Sequence, residues 1–199
     1  MENTHLKSNS NVQELRKVQL KLFEKFFPEE GLGKRPFSLT VSNKSVEEVY
    51  AAISNSQNLP LFFDHLQTVD LKNEKQAEWQ FRTINSDLVT SVPMSLEADE
   101  ASSTLVWKAE TQAGFDYSVA FFLEPAAAGR GTVVRMLVAY DNLAGEIAGK
   151  LEFLFGKDAM INSKKNLYRL KAFLETGHVP TTEGQPSGRD EDMPDNKKH

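Results

Sequence analysis

Residues 12 to 27 carry apolar side chains three and four positions apart: Val12, Leu15, Val18, Leu22, Phe23, Phe26 and Phe27. That spacing lines one face of a helix, and Pro28 stops it. Lys17, Lys21 and Lys25 fall on its polar side. Such a stripe can dock on the rest of its own chain, on a second copy, or on a membrane surface with the lysines toward the headgroups. "PEEGLGKRP" then reads as a linker, and its "GLG" is no dinucleotide loop, because no strand precedes it and no third glycine follows.

Past the linker the period drops to two. "FSLTVS" sets Phe37, Leu39 and Val41 against polar neighbours, as in a strand with one wet face. Ser45 heads "SVEEVYAAI" with Glu48 three residues on, the spacing of a capping box, and Val46, Val49 and Ile53 form that helix's inner face. "NSQNLP" breaks it and leads into "LFFDHL", a turn with two adjacent phenylalanines. Six strand candidates follow between residues 67 and 141. Trp79 and Phe81 share one face; Leu88, Thr90, Val92, Met94, Leu96 and Ala98 share another run; then come Leu105, Trp107 and Ala109, Phe115 to Leu123 in steps of two, and Val134, Met136, Val138 and Tyr140. Turn residues between these runs predict an antiparallel meander, with Pro93 marking an edge or a bulge.

The period then returns to helical. Ile147, Leu151, Leu154, Phe155, Ile161, Leu167, Leu170 and Leu174 give a long helix a broad apolar face, with Gly156 as a kink point and Gly177 as the stop. From His178 onward proline, glycine and charge predominate, which predicts disorder. The expected organisation is an N-terminal helix and linker over 1–35, one α+β domain over 36–177, and a tail over 178–199. A curved antiparallel sheet of about six to seven strands, wrapped around the long C-terminal helix with two short helices after the first strand, would bury both apolar faces and leave a cavity between them.

Composition narrows the function classes. The 199 residues suit one domain, and 40% hydrophobic content with 13 phenylalanines suffices for its core. No apolar run approaches the roughly 18 residues a membrane span needs, and no signal-peptide pattern appears, so a cytoplasmic location is expected. The absence of cysteine removes thiol chemistry. A net charge of -5 without a basic patch speaks against nucleic acid.

The stretch "SVEEVYAAISNSQNLPLFFDHLQTVDL", with "WKAE", "GTVVRMLVAYD" and "NLYRLKAFLETG", resembles the polyketide cyclase/dehydrase-like branch of the START-like (SRPBCC, helix-grip) superfamily. The resemblance runs from about Phe37 to Arg189 and includes the Asn-Leu-Pro-x-Phe turn and the closing Lys171, Glu175, Thr176 and Gly177. It implies the helix-grip fold. That superfamily includes cyclases, lipid and sterol carriers and coenzyme Q binding proteins, so it implies no single activity.

Cyclisation or dehydration needs an acid or base facing the cavity and a polar group for the enolate oxygen. The residues expected to line the cavity are instead apolar: Phe62, Phe63, Trp79, Phe81, Trp107, Tyr117, Phe121, Met136, Tyr140, Leu151 and Phe155. Only the tyrosines offer a proton, and packing with a satisfied hydroxyl explains them better than catalysis does. Arg82 and Arg135 belong to the opposite sheet face, where a bulge near Pro93 could reverse the register. Asp64 and His65 are adjacent, yet sequence neighbours rarely adopt dyad geometry, so His65 reads as a surface or rim residue. "LEADEAS" reads as a solvated acidic turn, no histidine cluster has metal spacing, and "GRGT" lacks a phosphate loop's lysine. No catalytic residue, metal or cofactor is assigned. The preferred reading is a module that binds a small hydrophobic molecule such as a polyketide, isoprenoid quinone or lipid. The alternative is a cyclase or dehydratase using Tyr117, Tyr140 and Arg82. A third reading gives the N-terminal helix a membrane-surface or homodimer contact. Within "LFFDHL", one ring plugs the core and the other guards the cavity mouth, or both lie buried under the long helix.

Overall fold

The computed structural model describes residues 2–26, 37–82, 88–100, 102–140 and 159–180. Helix α1 (Glu2–Phe26) precedes strand β1 (Phe37–Ser42), helix α2 (Val46–Ser54) and the single turn α3 (Leu59–Phe62). Strands β2 (Leu66–Leu71), β3 (Gln76–Arg82), β4 (Val89–Glu100), β5 (Thr104–Ala109), β6 (Tyr117–Pro125) and β7 (Gly131–Tyr140) follow, and helix α4 (Ala159–Thr176) ends the order. All seven strands form one antiparallel sheet in the order β1-β7-β6-β5-β4-β3-β2, with β1 crossing over to pair with β7. The fold class is the α+β arrangement expected: a curved antiparallel sheet, short helices after the first strand, and a C-terminal helix packed on the sheet.

Local chemistry accounts for the element ends. Ser45 Oγ accepts from Glu48 N at 3.2 Å while Glu48 accepts from Ser45 N at 2.8 Å, which completes the capping box of α2. Gly131 opens β7 at φ +125°, where an added Cβ would meet Val41 O at 2.0 Å, so only glycine permits the close approach of β1.

Alternation sorts the strand residues onto two faces. Trp79, Met94, Trp107, Val119, Phe121, Val134 and Met136 belong to one large core cluster with Val49, Ile53, Leu167 and Leu170 from the helices. On the opposite face Val106, Ala120, Phe122 and Leu137 form a second cluster, against which Leu22 and Phe23 of α1 pack. Every residue of β6 from Tyr117 to Glu124 is therefore buried, since both of its faces are covered.

Two details of the sheet differ from the sequence reading. Pro93 lies in a central strand, paired with Glu78 of β3, and its carbonyl accepts from Glu110 N at 2.8 Å just beyond the end of β5. Lacking an N–H, it cannot return the bond to Glu110, and the β4–β5 pairing starts one step on, at Met94 and Ala109. The register shift falls instead between Leu96 and Ala98. Beyond it the faces exchange: Ala98 packs on the outer cluster rather than continuing the run from Leu88, and Asp99 turns inward to accept from the Tyr50 hydroxyl.

Helix α1 docks on its own domain. Its docked face centres on Gln19, which is buried and donates to Ser103 O at 3.2 Å and Leu123 O at 2.9 Å. Val18, expected in the apolar stripe, is 43% exposed. A buried polar residue holds the centre because Leu123 of β6 and Ser103 in the turn before β5 present two backbone carbonyls there. The linker, residues 141–158 and residues 181–199 lie outside the described residues, and with them Leu151, Phe155 and the Gly156 kink; so does the Tyr140 side chain.

Candidate functional site

The inner face of the sheet carries a continuous band of aromatic rings. Pro60 opens α3, and Phe63 N donates to Leu59 O at 2.9 Å to close its single turn, which throws two consecutive rings toward the sheet. Phe62 and Phe63 lie 5.3 Å apart, and both meet Phe121 edge-on at 6.3 Å and 6.2 Å. From Phe63 the band continues to Trp79 at 5.9 Å, then to Phe81 at 6.0 Å and Trp107 at 5.8 Å. Phe81 meets Tyr117 edge-on at 6.0 Å. Tilted and edge-to-face rings at these separations add attraction beyond their buried area. The structure thus brings Phe62, Phe63, Trp79, Phe81, Trp107, Tyr117, Phe121 and Met136 into one buried cluster. Both phenylalanines of the turn are buried, so neither stands at an open mouth, while Leu61 between Pro60 and Phe62 is 41% exposed.

Charge is nearly excluded from the core. Among the described residues Glu124 is the single buried charged side chain, and it faces the side covered by α1. Burial pushes the Tyr117 phenol up, so it stays protonated and can donate but not serve as a base near neutrality. The indole N–H of Trp79 has no hydrogen-bond partner among the described residues. Arg82 is exposed at the end of β3, on the face away from Phe81.

The turn that delivers the rings is tied to α4 by polar contacts that sequence reasoning missed. Asp64 accepts from Lys165 Nζ at 2.5 Å and from Arg169, and its backbone N–H donates to Asn166 Oδ1 at 3.1 Å. Arg169 Nη2 also donates to Leu61 O at 3.1 Å. Burial alone would raise the Asp64 pKa, but the ammonium of Lys165 and the guanidinium of Arg169 outweigh it and hold the carboxyl below its usual range. Burial pushes His65 below the ordinary imidazole value, and the same two cations add to that while Asp64 opposes it. The Asp64 carboxylate thus serves α4, bonded to two of its cations. The spacing Lys165 and Arg169, four apart on a helix with a carboxylate left over in a turn, was the available signal.

A second polar knot fixes α1. Glu124 receives Arg16 Nε at 2.8 Å and Arg135 Nη2 at 2.5 Å. Burial works to raise the Glu124 pKa, and the two guanidiniums overcome this and keep it lowered. Beside the knot runs an open groove of about 380 Å³ lined by Arg16, Gln19, Leu20, Phe23, Phe122 and Arg135. Arg135 is on the outer face as expected, but in the α1 interface rather than on free surface.

No helix among the described residues is long and apolar enough to cross a membrane, and none of their His, Asp and Glu side chains form a group that could hold a metal ion.

No family model matches the chain, and no curated protein matches it. Solved structures do. DR_A0006 from Deinococcus radiodurans is 23% identical over 72% of this chain and 98% of its own, with a TM-score of 0.57. KanY is 21% identical over 73% of this chain and 99% of its own, with a TM-score of 0.54. The di-domain ARO/CYC StfQ from the steffimycin biosynthetic pathway is 14% identical over 71% of this chain and 50% of its own, with a TM-score of 0.52. At these identities the likeness concerns the fold alone, a curved antiparallel sheet with a C-terminal helix packed on it, which is the helix-grip arrangement expected.

Proposed function

We infer that the protein binds a small hydrophobic molecule between the inner face of the sheet and the C-terminal helix. The observation that carries this reading is the aromatic band from Phe62 to Tyr117, a buried run of rings between the sheet and the helices that includes no buried charge and has the chemistry to receive flat apolar groups. A polyketide, an isoprenoid quinone and a lipid-like molecule all suit it, with Leu151, Phe155 and Tyr140 as further proposed contacts. Binding is preferred over turnover because, among the described residues, the inner face buries no carboxylate or imidazole that could serve as a base. The cyclase reading borrows its reaction from StfQ and makes Tyr117 the acid; Tyr117→Phe would then abolish turnover of a bound substrate while leaving its affinity within a fewfold.

Native mass spectrometry of the protein purified from its own cells, followed by organic extraction, tests the binding reading. A reproducible adduct that extracts into solvent and rebinds at one molecule per chain is the expected result. A chain that is always empty and takes up no hydrophobic molecule saturably would overturn it.

A further inference from the structure

The unpartnered N–H of Trp79 carries information about the ligand. Trp79 is fully buried, and its Nε1 lacks an acceptor among the described residues. Burial strips a donor of its water, so folded proteins pair nearly all such groups, and tryptophan in a core ordinarily reaches an acceptor with its indole nitrogen. The ring neighbours Phe63, Phe81 and Trp107 offer flat faces and no side-chain oxygen. The residues beside Trp79 in register, Val69 on β2 and Val92 on β4, are aliphatic. Phenylalanine would supply a ring here without the stranded donor. The donor finds its use when an acceptor arrives from outside the chain.

We propose that Trp79 is the specificity-determining donor of this site, and that the ligand is a flat, neutral aromatic molecule bearing a ring carbonyl. This rests on the reading that the inner face takes a hydrophobic molecule. The carbonyl oxygen accepts from Trp79 Nε1 while the ligand's rings replace the contacts now made within the band. An aromatic hydrocarbon would leave the N–H unpaired. A carboxylate would need a cation, and the described inner face buries none.

The test pairs two molecules of nearly the same shape, anthracene and 9,10-anthraquinone, on the full chain and on Trp79→Phe. Calorimetric titration reads affinity, and the Trp79 indole resonance in a ¹⁵N-labelled wild-type chain reads the hydrogen bond without any substitution. The expected result is a downfield shift of that resonance with anthraquinone but not anthracene. Trp79→Phe should weaken anthraquinone roughly three- to tenfold more than it weakens anthracene, the span of one neutral hydrogen bond. If the substitution changes the affinity for both molecules by the same factor and the indole resonance does not distinguish them, the role of Trp79 falls while the hydrophobic site stands. If neither molecule binds the wild-type chain, the site reading falls and takes this inference with it.

Discussion

Replacing Asp64 by alanine cuts the turn that carries Phe62 and Phe63 loose from α4. The side chains of Asp64 and Arg169 are both 23% exposed, whereas Lys165 is 53% exposed. These exposures rank the consequences. A charge-assisted hydrogen bond in a partly buried setting contributes about 1.5–3 kcal/mol, while a solvent-exposed ion pair contributes about 0.2–1 kcal/mol. Asp64→Ala should therefore cost about 2–3 kcal/mol, because Arg169 loses its carboxylate and its buried Nε already lacks a partner. Arg169→Ala should cost at least as much, since the bond to Leu61 O goes too. Lys165→Ala should cost less than about 1 kcal/mol. For a domain of this size 1 kcal/mol shifts Tm by about 2–4 °C, so urea unfolding and a thermal scan both resolve the order. The sign with pH follows from the lowered pKa. Asp64 supplies stability above its unfolded value of about 3.9, and this is lost as pH falls through the folded value. Asp64→Ala should thus flatten the acid limb. Equal losses for Lys165→Ala and Asp64→Ala, or losses under about 0.5 kcal/mol for all three variants, would refute the reasoning.

His65 titrates with the same sign. Its folded pKa is depressed by burial, so its contribution is present above about pH 6.5 and is lost on acidification through the folded value; scanning at pH 7.5 and 5.5 should show His65→Gln losing less stability over that interval than the wild type. In the α1 knot, Arg16→Ala or Arg135→Ala alone leaves Glu124 one guanidinium, at a cost of about 1 kcal/mol each. The double variant strands a buried carboxylate and should cost about 3–5 kcal/mol, and a double-mutant cycle that came out additive would contradict this.

Much of the fold was legible because single faces of strands and helices obey simple periods. Trp79 with Phe81, Leu105 with Trp107, and Tyr117, Val119, Phe121 and Leu123 all fell on the inner face as their alternation required. Where the period was interrupted, the pattern misled: Ala98 looked like a continuation from Leu96, and only the bulge between them sends it outward. Gln19 was invisible because its value depends on Ser103 and Leu123 carbonyls more than eighty residues away. The same holds for Asp64 with Lys165 and Arg169, and for Glu124 with Arg16 and Arg135: charged residues look alike in sequence until a fold chooses their partners. Trp79 was recognisable as a core ring, but the want of a partner for its nitrogen exists only in three dimensions.

The chain has two tryptophans, and both, Trp79 and Trp107, stand in the aromatic band. Their emission therefore reports on the proposed site and on little else. Titrating the protein with a flat hydrophobic aromatic should quench that emission saturably at one molecule per chain. Emission that falls only in proportion to added compound, or does not change, would contradict a ligand site on the inner face.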